Sequence, residues 1–193
     1  MVISSPNSYS ENNLDVVRVN SSNKINLKRF AQNGQIQIYQ SSYRGSYSSI
    51  IRDSLRNAAL GRKVLLVQFM KGGVRQGIDN PIRLCGNLTW IRSSHSFDQY
   101  DPEEIEVNKN LKKIIHESIY ELWNFCKKEL ISGIHDQIIL DEIFLAIEMK
   151  IIDKDDLIST LENRFISGDV ILTGTSIPKE FLLMANQITE LRS

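Results

Sequence analysis

From Gln35 onward, short apolar runs alternate with longer stretches in which apolar residues recur every three or four positions. Ile36-Gln37-Ile38-Tyr39 reads as a first strand, and a polar turn runs from Gln40 to Tyr47. Ser48-Ser49 then starts a helix through Ile50, Ile51, Leu55 and Ala58-Ala59, which stops at Gly61. Val64-Leu65-Leu66-Val67-Gln68-Phe69 is a continuous run of the kind buried on both faces of a sheet. Two strands joined by one helix imply a right-handed βαβ unit with parallel strands. Met70 to Asn87 reads as a glycine-containing loop, and Leu88-Thr89-Trp90-Ile91 as a third strand.

A longer helix is predicted over Pro102 to Leu130, ended by Ser132-Gly133. Leu111, Ile115, Ile119, Leu122 and Cys126 form one apolar stripe, which Ile114 and Phe125 widen. Trp123 lies beside that stripe, as core or as dimer surface. Gln137-Ile138-Ile139-Leu140 is another buried strand, with Asp141-Glu142 at its C-terminal end. Asp153 caps a helix through Leu157, Leu161 and Phe165. Val170-Ile171-Leu172-Thr173 is the next strand, Pro178 to Ala185 a short helix with proline at its start, and Ile188 to Leu191 closes the sheet. The order β-α-β-β-α-β-α-β-α-β predicts an α/β three-layer Rossmann-like sandwich with a mostly parallel sheet.

Composition narrows the function. The chain has 193 residues, within the size of one domain of about 100–200 residues. Residues 1–34, rich in Ser and Asn, read as a flexible arm, or as a segment that docks on a partner subunit through Ile25, Leu27 and Phe30; residues 35–193 form the single α/β domain. Lys plus Arg equals Asp plus Glu at 23 each, which argues against a nucleic-acid partner, since phosphate neutralisation needs a basic excess. No apolar run approaches the roughly 20 residues of a membrane span. The N-terminus lacks an apolar leader segment, so a cytoplasmic protein is expected. Cys85 and Cys126 are too few for a disulfide framework or zinc cluster and read as two reduced, buried thiols. His95, His116 and His135 show no ligand spacing with cysteines or acids.

Ligands of open α/β sheets sit at the carboxyl ends of strands. Three segments lie there: the Gln40–Ser48 turn, the Lys71-Gly72-Gly73 loop and the acidic pair Asp141-Glu142. Two carboxylates after a strand suit a magnesium-holding acid in a phosphate-binding fold. They also suit a solvated helix N-terminus, where they stabilise the dipole.

Several spaced motifs resemble those of the ATP:corrinoid adenosyltransferases. Val64 through Gly72 resembles the family's VQFxKG strand and loop, and Ile139-Leu140-Asp141-Glu142-Ile143 its LDE strand, with Asn163-Arg164 matching an NR pair downstream. Leu88-Thr89-Trp90 resembles GFTW, and Leu172-Thr173-Gly174 through Pro178, then Ala185 to Glu190, the C-terminal TGR…P…AD…TE segment. The resemblance covers Gly34 to the C-terminus and implies P-loop NTPase-type topology and a homodimer. It implies a site in which a glycine-rich loop cradles ATP triphosphate with magnesium and Co(I) of a corrinoid attacks C5′ of the ribose. By position, Glu142 would hold magnesium with Asp141 in support, Lys71 would lie beside the phosphate loop, and Leu88 and Trp90 would face the corrin.

The departures fall on ligand-facing positions. The family's phosphate loop reads GNGKGKTT; this chain has Ser41-Ser42-Tyr43-Arg44-Gly45-Ser46-Tyr47-Ser48. Side chains at Ser41 and Tyr43 stand where bare backbone should wrap phosphate oxygens. Ser46 replaces the lysine and Tyr47 the magnesium-binding threonine. Two lost charge-assisted contacts at about 1.5–3 kcal/mol each weaken a nucleotide site roughly 10²–10⁴-fold. The TGR arginine is Thr175, the GFTW phenylalanine is Leu88, the acid after the KG loop is Ile78 and the AD aspartate is Asn186. The pattern implies a non-catalytic homologue that binds a corrinoid, a weak anion or a protein partner. The alternative is an active adenosyltransferase in which Arg44 and a serine hydroxyl rework the loop, with serine N–H and hydroxyl groups at the helix start still favouring an anion.

Overall fold

A computed structural model of the chain describes residues 33–43, 47–72, 76–95 and 108–191. The expectations for the N-terminal arm up to residue 32, for Arg44, Gly45 and Ser46, and for a helix start at Pro102 lie outside those residues.

Seven strands form one sheet: β1 (Ile36–Ser41), β2 (Val64–Gly72), β3 (Ile82–Leu84), β4 (Leu88–Ser93), β5 (Gln137–Asp141), β6 (Asp169–Gly174) and β7 (Gln187–Leu191). Their spatial order is β3-β4-β2-β5-β6-β1-β7. Every pairing is parallel except β3 with β4. The first two strands are parallel, as expected, with β5 and β6 inserted between them. The central strands are apolar on both faces because helices cover both. Leu65, Val67 and Phe69 point into a core shared with α2 (Lys109–Ser132), α3 (Ile143–Glu148), α4 (Lys154–Glu162) and α5 (Lys179–Met184). Val64 and Leu66 point the other way, against Ile50 and Ala58 of α1 (Ser48–Ala59). This is the α/β three-layer sandwich expected from the sequence, with a sheet consistent with P-loop NTPase-like folds. No described helix is long and apolar enough to cross a membrane.

Local chemistry sets the helix ends. The Asn108 side chain accepts from the Leu111 N–H at 3.1 Å to start α2, and Asp153 accepts from Asp155 and Asp156 N–H to start α4. Gly133 ends α2 at φ 69°, and a Cβ there would meet the Phe165 ring at 2.9 Å. Trp123 is fully buried in the core, which settles its place. Its indole N–H donates to Asp156 at 2.7 Å, tying α2 to α4.

Several expectations need correction. Cys85 is exposed, because it occupies a tight turn between β3 and β4 at φ 51°; only Cys126 is buried. The stretch read as loop to Asn87 contains β3, three residues being too few to show alternation. A six-residue helix, α3, follows Glu142 directly. Helix α4 ends at Glu162, leaving Phe165 45% exposed over Gly133. Ile114 is exposed on α2 rather than part of its buried stripe. Helix α1 starts on the Tyr47 carbonyl, without a side-chain cap from the serines.

Candidate functional site

The parallel register brings polar residues together at the carboxyl ends of the central strands. Gln68 on β2 pairs with Asp141 on β5, and Leu140 pairs with Leu172, which sets Thr173 of β6 beside Asp141. Gln68 Nε2 donates to Asp141 Oδ2 at 2.7 Å, and Thr173 Oγ1 donates to Oδ1 at 2.9 Å. Lys71 Nζ lies 3.5 Å from Oδ2. The backbone N–H of Glu142 donates to Thr173 Oγ1 at 2.7 Å. Asp141 and Glu142 are each 2% exposed, so the acidic pair is interior rather than a solvated helix start.

Glu142 adopts φ 60°, a left-handed conformation that costs a non-glycine residue about 1–3 kcal/mol. The bend turns β5 straight into α3. Packing is tight beside it: a Cβ on Gly174 would lie 2.6 Å from the Phe144 Cβ.

The network extends sideways. Gln68 Oε1 accepts from Trp90 Nε1 at 3.0 Å and from Arg92 Nε at 2.8 Å. The Arg92 guanidinium lies 4.4 Å over the Trp90 ring. Trp90 is half-buried, while Leu88 is 1% exposed in the core against α1 and presents no surface to a ligand.

Tyr47 is the unexpected element. Its ring is 1% exposed in the α1-side core, and its hydroxyl is buried without a partner in hydrogen-bonding geometry among the described residues. Burial, and then the charges of Asp141 and Glu142, push its phenol up to about 12, while backbone N–H groups at Ser41 and Gly174 pull the other way. The phenol therefore stands among the ends of β1, β5 and β6. Ser41, 1% exposed, accepts from the Tyr43 N–H at 3.2 Å, and Ser48 is exposed as the first residue of α1.

The structure thus joins Asp141, Glu142, Lys71, Trp90, Tyr47 and Ser41 at one end of the sheet. Arg164 of the NR pair is elsewhere, donating to Leu161 and Gly34 carbonyls at the opposite end. Asn186 ties β1 to β7, its Oδ1 accepting from Ile36 N–H at 2.8 Å. Sequence reasoning missed Gln68, Thr173 and Arg92. The available signal was a polar residue inside or just after an apolar run, since buried polar groups demand partners.

Comparison with known proteins agrees with this architecture. A sequence model of the ATP:corrinoid adenosyltransferase BtuR/CobO/CobP family matches residues 32–193. An uncharacterised protein of Nostoc sp., all2391, is 24% identical over 82% of this chain, which spans only 44% of that protein's length. The corrinoid adenosyltransferase of Escherichia coli is 22% identical over 83% of this chain and 78% of its own length. Corrinoid adenosyltransferase CobA of Salmonella typhimurium is also 22% identical, with the same two coverages. A family match across the whole α/β domain, on a sheet that gathers the LDE acids, the KG-loop lysine and the GFTW tryptophan at one end, makes the chain a member of the ATP:corrinoid adenosyltransferase BtuR/CobO/CobP family.

Proposed function

We propose that this chain is a non-catalytic member of its family, a cytoplasmic homodimer that binds a corrinoid, a weak anion or a protein partner without using ATP. The observation that carries the proposal is the Tyr47 ring, buried where the family's phosphate loop ends in a threonine. A phosphate oxygen and its metal need open backbone N–H groups and a small hydroxyl. Here a phenol stands close enough to Ser41, Gly174 and the acidic pair to feel their charges and backbone N–H groups.

The partners of Asp141 argue against a magnesium ion at this site. Magnesium demands near-octahedral oxygens at about 2.0–2.1 Å. Asp141 already accepts from Gln68 and Thr173 and faces Lys71. No reaction step is therefore assigned to a metal.

The test is direct turnover. Purified protein is mixed with ATP, magnesium chloride and chemically reduced cobalamin, and adenosylcobalamin formation is followed by absorbance. The proposal expects no product above the protein-free control, and sustained turnover would overturn it. One observation favours the rival reading of an active enzyme: Gln68 links Asp141 to Trp90, and Lys71 faces Asp141. On that reading Arg44→Ala and Glu142→Ala each abolish the turnover seen.

A further inference from the structure

A hollow of about 320 Å³ opens at the amino ends of β2 and β5, the end of the sheet opposite Asp141 and Tyr47. That volume lies at the lower end of small-molecule sites, about 300–1,000 Å³. Strand alternation builds its floor. Leu65 of β2 and Ile91 of β4 face the α2-side core, so Lys63, two residues before Leu65, and Thr89, two before Ile91, face the same way. Arg83 of β3 pairs directly across from Thr89, which sets it on that face as well. The α2–β5 connection closes the hollow with Ile134 and His135.

The walls are held by the backbone. The Lys63 N–H donates to Asp136 Oδ2 at 2.8 Å, and the Lys63 carbonyl accepts from the Asp136 and Gln137 N–H groups. Cys85 and Gly86, at φ 51° and 73°, make the tight β3–β4 turn, and Asn87 ties it to α1 through the Ala58 carbonyl at 3.2 Å. His135 is held by Glu129 at 3.0 Å. Every wall lies within an unbroken described stretch.

Uncompensated charge singles the hollow out. Lys63 and Arg83 both line it, no carboxylate does, and neither cation has an ion pair among the described residues. The adjacent Arg62, by contrast, is spent on Asp169 at 2.6 Å. Asp136 and Glu129 are engaged with the walls instead, through the Lys63 backbone N–H and the His135 ring. Nor does the end of α2 call for these cations. Its Glu129 and Leu130 carbonyls already accept from the Ser132 hydroxyl at 2.9 Å and the Phe165 N–H at 2.8 Å. Two like charges on one hollow repel, and an anion between them removes that repulsion. We propose that this hollow binds a compact, doubly charged oxyanion of the phosphate class, free or esterified. Lys63 and Arg83 match its charge, the Thr89 hydroxyl donates to it, and Ile134, 55% exposed, lies against the organic part of an ester. The site stands apart from the Tyr47 cradle and does not depend on whether the protein uses ATP.

The test is two-dimensional amide NMR of the full chain, titrated with inorganic phosphate and separately with phenyl phosphate, without nucleotide, metal or corrinoid. Sodium chloride at matched ionic strength is the control. The Gly86, Asn87 and Thr89 amides should shift saturably with phosphate and not with chloride. Tighter binding of phenyl phosphate assigns the site to an ester and equal or weaker binding to the free ion; either supports the proposal. Lys63→Gln and Arg83→Gln should each raise the dissociation constant about threefold or more. Both side chains are exposed, so both variants should fold, and their spectra report that directly. Several results would overturn the proposal: no saturable shift at those amides, the same shift with chloride, or unchanged binding by either variant. Shifts confined to Tyr47, Ser48 and Ser49 would overturn it too, by placing the anion at the other end of the sheet. Such a failure leaves the reading that ATP is not used untouched, because no nucleotide enters the experiment.

Discussion

Tyr47→Phe separates a ring that plugs a cradle from a hydroxyl that performs chemistry. The substitution keeps the ring in the α1-side core and removes a buried oxygen that has no partner in hydrogen-bonding geometry among the described residues, only the nearby backbone N–H groups at Ser41 and Gly174. An unsatisfied buried polar group costs about 1–3 kcal/mol, so its deletion should stabilise the protein by about 1–2 kcal/mol at neutral pH. At about 2–4 °C per kcal/mol for a domain of this size, the unfolding midpoint rises by about 2–8 °C. The pH dependence gives a second reading of the same atom. The phenol is raised from 10.0 to about 12 in the folded protein, so folding favours its protonated form. Its contribution is fully present below pH 10 and is lost as pH rises through 12, because the unfolded chain ionises first. Two pH units at about 1.4 kcal/mol each make that loss about 3 kcal/mol, present in the natural chain and absent from Tyr47→Phe. Urea unfolding of both proteins at neutral pH and at intervals through this alkaline range measures both effects. A Tyr47→Phe protein that is less stable by more than about 1 kcal/mol at neutral pH would show that the hydroxyl makes a favourable bond, and would refute its role as part of a passive plug.

Thr173→Val should destabilise the fold by about 2–4 kcal/mol, since it strips one buried donor from Asp141 and one acceptor from the Glu142 N–H; Thr173→Ser should retain most of that in the same urea titration. Gly174→Ala should cost about 1–3 kcal/mol in thermal unfolding, because its Cβ would press on Phe144 at 2.6 Å and the backbone must shift. Maleimide should label Cys85 in the native protein and reach Cys126 only after denaturation, since Cys126 is fully buried and burial pushes its thiol well up; native labelling of both by mass spectrometry would contradict the core described.

Much of the scaffold is legible in the amino-acid sequence, for physical reasons. Val64–Phe69 and Gln137–Leu140 announce themselves because strands buried on both faces need uninterrupted apolar runs. The stripe through Ile115, Ile119, Leu122 and Cys126 does the same for α2. Short elements escape. Three residues of β3 and six of α3 carry too little pattern to separate from loop, and α3 begins without a capping side chain. At the site, Asp141, Glu142 and Lys71 are legible from their place after strands. Gln68 and Thr173 are not, because their partnership with Asp141 arises from register between strands far apart in sequence. Tyr47 is legible as a loss of threonine. That its ring is buried beside α1 depends on packing, which no local pattern encodes. Leu88 misleads because its motif position implies a ligand-facing side chain, whereas that side chain closes the core.

The family's phosphate cradle is, on this account, filled by the chain's own tyrosine. Calorimetric titration of the natural protein with Mg·ATP, beside a Ser46→Lys/Tyr47→Thr variant, tests that most directly. The account predicts no saturable heat from the natural chain and a measurable affinity regained by the variant. Tight binding by the natural chain would contradict it and return ATP to the site.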